Sequence, residues 1–247
     1  MSLFDEDFDI YIPTYGRADN VKTAELFPNA YIVCPESQEE EYRKYYPNMK
    51  YMCCPDSVEG NMAKKRNWIK TNAHKDWLVM CDDDMAAIIM NEGCKAREMD
   101  HEHIMELFHN AFVMSEEIGT VMWGLNLQSD PKFYREYSPF STLSVVLGPL
   151  SGHIKSTLKY DCRLPTKEDY DYALQVLWKY HCILRFNKYA YKVGHIKNQT
   201  GGSISIRRRA LEEEQNILLQ KKWGKKIVKY NMAKDIDPIV KVPLKGI

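Results

Sequence analysis

Asp82-Asp83-Asp84 is the densest run of charge in the chain, three consecutive carboxylates placed directly after the apolar stretch Trp77-Leu78-Val79-Met80-Cys81. Adjacent carboxylates repel, and partial burial at the end of a strand raises that cost. A divalent cation removes the conflict. Mn2+ or Mg2+ takes carboxylate oxygens and keeps positions open for substrate phosphates, and the C-terminal edge of a parallel sheet is where such ligands bind. A solvated acidic turn or a helix N-cap would need one aspartate, or two, so the triplet reads as a metal-binding cluster. An EF-hand is set aside because its loop requires glycine at the sixth position and residue 87 is alanine. A Walker P-loop and a GxGxxG fingerprint are both absent, which removes the main support for kinase, ATPase and dinucleotide-binding readings.

Two further groups could act on a substrate. Glu168, Asp169 and Asp171 follow Pro165-Thr166 and read as the acidic head of a helix, where carboxylates also serve capping and the helix dipole. Gly201, Gly202 and Ser203 offer backbone amides and a hydroxyl that can close over a pyrophosphate, although a plain Gly-Gly turn explains them equally. The segment 128–141, rich in Pro, Tyr and Ser, reads as a long loop whose Tyr134, Tyr137 and Phe140 could line an acceptor site. Trp77, Trp123 and Trp178 read as core.

The elements that must position these residues alternate short apolar runs with helical patterns, the signature of a mainly parallel sheet covered by helices. Strands are expected at residues 8–12, 30–34, 50–53, 77–81, 121–126 and 143–149, the fourth apolar on both faces and therefore central. Helices are expected at 37–46, 58–73, 101–118, from about 167 onward, and from about 208 to 223. The tail is expected to hold two short strands, then a Gly-Gly turn at 201–202, the charged helix from about 208 to 223, and an ending rich in Pro, Lys and Ile.

Composition sets the outer limits. With 247 residues, 45% apolar and 28% charged, the chain suits one α/β domain over residues 1–247. No apolar run approaches the length of a membrane span and the start is acidic, so a cytoplasmic protein without a membrane anchor is expected. Seven cysteines without a CxxC pair read as reduced thiols, mostly in the core. Formal net charge is zero, yet residues 185–229 hold twelve Lys or Arg against three Glu. Such a split suits either an anionic partner or a solvated helix face.

Taken in order, Ile12-Pro13-Thr14-Tyr15-Gly16-Arg17, Ala63-Lys64-Lys65-Arg66-Asn67, the run into Asp82-Asp83-Asp84, and Lys167-Glu168-Asp169 resemble the GT-A glycosyltransferases, especially their family-2-like group, over about residues 8–175. The resemblance implies a Rossmann-like GT-A fold and a nucleotide-sugar donor, UDP-linked, bound mainly by residues 1–125, with residues 126–247 serving the acceptor. It implies that Pro13, Thr14 and Tyr15 hold the nucleotide base with Arg17 nearby, that Arg66 meets the phosphates, and that Asp82 and Asp83 touch ribose or metal. Asp84 would be the direct ligand of Mn2+ or Mg2+, with His195 as a further metal ligand. The base that deprotonates the acceptor would be Asp169, with Glu168 or Asp171 as substitutes. More narrowly, the compact format is similar to transferases encoded by bacteriophages near TET/JBP-type oxygenases, which add sugars to hydroxymethylated pyrimidines in DNA. Residues 185–229 would then neutralise DNA phosphates in the host cytoplasm. Rival readings are a transferase acting on a soluble glycan, protein or small molecule, a nucleotidyltransferase, and a non-catalytic nucleic-acid-binding module.

Overall fold

The computed structural model describes residues 4, 6–194, 209–231 and 235–242. In chain order the first part runs β1 (Asp9–Pro13), α1 (Thr23–Leu26), β2 (Tyr31–Val33), α2 (Glu39–Tyr45), β3 (Lys50–Tyr51), α3 (Met62–Asn72) and β4 (Trp77–Cys81). There follow β5 (Met85–Glu92), β6 (Lys95–Glu98), α4 (His101–Glu117), β7 (Met122–Asn126), β8 (Phe140–Ser141), β9 (Leu150–Ile154), α5 (Glu168–Tyr180) and β10 (Leu184–Val193). The described tail holds α6 (Arg209–Trp223), β11 (Val228–Asn231) and β12 (Asp235–Val240).

Ten strands form one sheet in the order β3-β2-β1-β4-β9-β7-β10-β5-β6, with β8 paired to β10. The half that begins the chain, β3-β2-β1-β4, is parallel throughout. The other half is mixed: β9 runs antiparallel to both β4 and β7, β10 is parallel to β7, and β5 is antiparallel to β10. β4 is central and nearly all buried, as its unbroken apolar run requires.

The main core lies between this sheet and α4, where Phe8, Phe108, Phe112 and Trp123 interlock. Asp100 caps α4 by accepting from the His103 amide at 3.0 Å, and the helix then buries Ile104, Met105, Leu107, Phe108, Ala111 and Phe112 on one face. Gly152 in β9 admits the Trp123 ring, because a Cβ there would collide with the indole. Removing a ring such as Phe112 would cost about 3–5 kcal/mol.

Three expectations are corrected. Residues 143–149 are not a strand; the strand starts at Leu150, because Gly148 at a φ of 82° followed by Pro149 breaks the extended run. The β5-β6 hairpin was not foreseen, since its Ala- and Met-rich sequence lacks alternation and β5 is buried on both faces. Trp178 is 76% exposed rather than core. All seven cysteines are free, but only Cys34, Cys54 and Cys81 are buried. No helix among the described residues is long and apolar enough to cross a membrane.

Candidate active site

The end of β4 is held from every side through its backbone. The Asp82 amide donates to the Pro149 carbonyl at 2.7 Å, the Thr23 hydroxyl donates to the Asp82 carbonyl at 2.5 Å, and the Met85 amide donates to that hydroxyl at 3.0 Å. The Gly194 amide donates to the Asp84 carbonyl at 2.9 Å, which ties the end of β10 to the triplet. The three side chains then part company. Asp83 is buried and accepts from the Thr14 hydroxyl at 2.7 Å and from Arg17 Nη1 at 2.9 Å. Burial, with Asp82 and Asp84 adding, pushes its carboxyl up to about 6 against the opposing pull of Thr14 and Arg17. Asp84 is half-buried, and burial first, then the Asp82 charge, raises its carboxyl.

The loop after β1 is built around Thr14. Its amide donates to Val33, its hydroxyl lies 3.0 Å from the Tyr42 hydroxyl, and its carbonyl accepts from Lys65 Nζ at 2.7 Å. Tyr42 also accepts from the Arg17 amide at 3.2 Å, and Gln38 accepts from the Gly16 amide at 3.0 Å. Pro13 and Thr14 are therefore buried, while Tyr15 is left 46% exposed, free to meet a ligand. Lys65 is buried in an ion pair with Glu59. Sequence reasoning missed Tyr42, Gln38, Glu59 and Lys65. The available signal was that Lys65 and Arg66 share the face of α3 that buries Ala63 and Ile69, an unusual place for two cations.

Arg66 projects from α3 to the same edge. Its Nη2 is 3.4 Å from Asp82 Oδ1 and its Nη1 is 3.2 Å from Glu168 Oε1. Burial alone would pull the guanidinium down, but Glu168, Tyr160, Asp82 and Asp169 outweigh it and hold it charged. For Glu168 burial dominates and raises the carboxyl, with Asp169 and Asp82 adding and Arg66 opposing. Asp169 is half-buried and turned to the site: its Oδ2 accepts from the Gly148 amide at 3.2 Å and its Oδ1 from the Tyr170 amide at 2.8 Å. The turn Gly148-Pro149 thus bridges Asp169 to Asp82. Tyr191, buried beside this turn, has its phenol raised by burial and then by the charges of Asp82 and Asp169. Asp171 is not available as a substitute base. It is fully buried and taken up by Gln175 at 2.7 Å, Lys222 at 2.8 Å and Trp223 Nε1 at 2.7 Å, where it anchors α6 to α5.

A hard divalent cation fits part of this edge. Asp82 and Asp84 repel each other and are the triplet members whose carboxylates are not committed to the Thr14 loop, whereas both Asp83 oxygens are engaged there. Among the described residues no third His, Cys, Asp or Glu completes a metal-binding group. His195, Gly201, Gly202 and Ser203 lie outside the described residues; Gly194, bonded to Asp84, is the last residue before them.

The family model of the TET-associated glycosyltransferases matches residues 8–202, a span that takes in β1, α3, the aspartate triplet and α5. The chain belongs to that family. Comparison with curated proteins gives no match. Among solved structures this transferase is similar to S. aureus TarS 1-349 in complex with UDP-GlcNAc, at 13% identity and a TM-score of 0.50, covering 85% of this chain and 65% of that one. It is also similar to glucosyl-3-phosphoglycerate synthase from Mycobacterium tuberculosis with Mn2+, UDP-glucose and glycerol 3-phosphate, at 9% identity and a TM-score of 0.55, covering 87% and 79%. A third is the mannosyltransferase PcManGT from Pyrobaculum calidifontis in complex with GDP-Man and Mn2+, at 11% identity and a TM-score of 0.50, covering 73% and 54%. The transferase therefore spans just under two thirds of TarS 1-349 and about half of PcManGT. These likenesses establish the GT-A fold.

Proposed function

We propose that the transferase moves a sugar from a nucleoside-diphosphate sugar, UDP-linked, to a hydroxyl acceptor at the edge formed by Asp82, Asp84, Arg66 and Asp169. The observation that carries this reading is the convergence itself: a cation, two mutually repelling carboxylates and a separate half-buried carboxylate are joined within one turn, through Asp82 to Pro149 and Gly148 to Asp169. Neighbours of the same fold, bound to UDP-GlcNAc, UDP-glucose or GDP-Man, support the donor class.

The donor half is residues 1–125. Pro13, Thr14 and Tyr15 receive the base, with Arg17 behind them. Asp82 and Asp84, with His195 as a further ligand, would hold Mn2+ or Mg2+, which would supply positive charge against the diphosphate. Arg66 has a planar fork suited to phosphate oxygens and stabilises charge as the diphosphate departs. In the transfer step the acceptor oxygen bonds to the anomeric carbon, the bond from that carbon to the diphosphate oxygen breaks, and Asp169 takes the acceptor proton. The Gly148 and Tyr170 amides hold that carboxylate in place.

Residues 126–247 serve the acceptor, for which we propose a hydroxymethylpyrimidine in DNA. Tyr137, 87% exposed, lies with the half-buried Tyr134 in the long loop after Leu127, and the exposed Phe140 opens β8 at the end of that loop. Lys221, Lys225, Lys226 and Lys229 are exposed in the basic segment. Lys192 and Lys222, by contrast, are paired with Glu98 and with Asp161 and Asp171. Duplex DNA carrying 5-hydroxymethylcytosine, incubated with a panel of UDP-sugars and Mn2+, tests both halves by mass spectrometry. A gain of one sugar on the base, with binding that weakens as salt rises, is the expected result. UDP release without any DNA product would reject the DNA acceptor and leave the donor reading standing.

A further inference from the structure

The stretch 158–162, which leads from β9 towards the helix carrying Glu168 and Asp169, lies outside every strand, yet its alternate carbonyls are all satisfied by side chains of α3 and of its N-cap Asn61. Asn61 Nδ2 donates to the Cys162 carbonyl at 2.8 Å, Asn67 Nδ2 to the Tyr160 carbonyl at 2.8 Å, and Lys70 Nζ to the Leu158 carbonyl at 2.8 Å. Asn67 does more. Its Oδ1 accepts from the Tyr160 amide at 2.8 Å, so one primary amide takes both backbone groups of one residue, as a neighbouring strand would. From the other side, α5 contributes Gln175, which donates to the Lys159 carbonyl at 3.0 Å.

Tyr160, fixed in this way, is the floor beneath Arg66. The guanidinium carbon stands 5.6 Å from the centre of the Tyr160 ring, and the ring is stacked on Tyr172 of α5 at 4.2 Å and an interplanar angle of 20°. The Tyr160 hydroxyl lies 3.3 Å from His153 Nε2, which completes the fixation. Among the described residues the buried Nε of Arg66 has no hydrogen-bond partner, and its guanidinium is directed by the Tyr160 ring and by Asp82 and Glu168.

We propose that Asn67 is a positioning residue of the transferase: through Tyr160 it aims the Arg66 guanidinium at the donor diphosphate. The proposal rests on the role given to Arg66 under Proposed function. Losing the Asn67 amide releases Tyr160, and a small displacement of a phosphate-binding cation is enough to lower affinity measurably. A residue that served stability alone would weaken the donor site by the same factor whatever stood at position 66.

The test is a double-mutant cycle read as UDP affinity with Mn2+ by calorimetry, alongside kcat/KM, on wild type, Asn67→Ala, Arg66→Ala and the double variant. Asn67→Ala weakens UDP binding about tenfold when Arg66 is present and less than about twofold when it is absent. Equal losses in both backgrounds overturn the proposal while leaving Arg66 in place as a donor ligand. UDP affinity unchanged by Arg66→Ala removes that ligand role and the positioning inference with it. Should Asn67→Ala not fold, Tyr160→Leu and Tyr160→Phe replace it: Leu, lacking the ring, reproduces the loss, and Phe, keeping it, stays near wild type. A Tyr160→Leu protein that binds UDP like wild type overturns the proposal.

Discussion

At the scale of single residues, Asp82, Asp83 and Asp84 are chemically identical and structurally distinct. Asp83 is spent on Thr14 and Arg17, while Asp82 faces Arg66 and Asp84 adjoins the end of β10. The types and order of these residues were legible in the sequence because a buried carboxylate needs a cation, and the chain supplies Arg17 and Arg66 ahead of the triplet. Their division of labour was not, since it depends on Tyr42, Thr23 and Pro149, which are distant in sequence and individually unremarkable in type. The same holds for the acidic head of α5, where three carboxylates looked interchangeable. Burial separates them: Glu168 pairs with Arg66, Asp171 with Lys222 and Trp223, and Asp169 is left to face the site. Replacing Asp169 by Asn keeps its size, removes the proposed base and gives up one of the two backbone hydrogen bonds the carboxylate accepts. It should lower kcat by about 10²–10⁴ while UDP affinity stays within about twofold, as steady-state rates and calorimetry would show. A kcat within about threefold of wild type would reassign the base.

At the scale of elements, α3 and α5 are held by buried polar groups, and two stability measurements follow. Lys70 on α3 is half-buried against Tyr172, and desolvation lowers its ammonium from the ordinary 10.5 to about 7. Between those values the unfolded chain holds a proton that the folded chain lacks, so the Lys70 contribution makes the fold more stable as pH rises, by at most about 1.4 kcal/mol per pH unit. Urea unfolding from about pH 7.5 to about pH 9.5 should show this slope reduced in Lys70→Met. Identical slopes would mean that Lys70 keeps its proton. Lys167, immediately before α5, pairs with Glu212 of α6 at 2.9 Å, with both side chains almost wholly buried. Lys167→Ala breaks this buried ion pair and the one to Asp237 at 2.7 Å, and should cost about 3–5 kcal/mol in chemical denaturation. A cost below about 1 kcal/mol would show that the Lys167 pairs contribute little to the fold. The β1 to β4 strands and every described helix except α1 could be read in advance from apolar spacing and capping signals, whereas α1 is a four-residue turn too short to carry a period. The β5-β6 hairpin and the true start of β9 could not, because one lacks alternation and the other is set by a left-handed glycine followed by proline.

At the scale of the molecule, one sheet joins a parallel half that carries the Thr14 loop and the triplet to a mixed half that carries Tyr191 and the partners of the long loop. The candidate site lies where β4 meets β9, at the change from parallel to antiparallel pairing. Formal neutrality conceals a basic stretch at 185–229, and the fold neutralises part of it internally through Lys192 and Lys222. Charge alone therefore overstated the surface offered to an anionic acceptor, whereas family membership and the geometry at β4 bear on the donor chemistry directly. The most direct test of that chemistry is product release from a UDP-sugar in Mn2+ by wild type and by Asp84→Ala. The account predicts UDP as the released nucleotide, with the rate falling by at least about 100-fold in Asp84→Ala. Pyrophosphate released from a nucleoside triphosphate instead, or UDP release undiminished in Asp84→Ala, would contradict it.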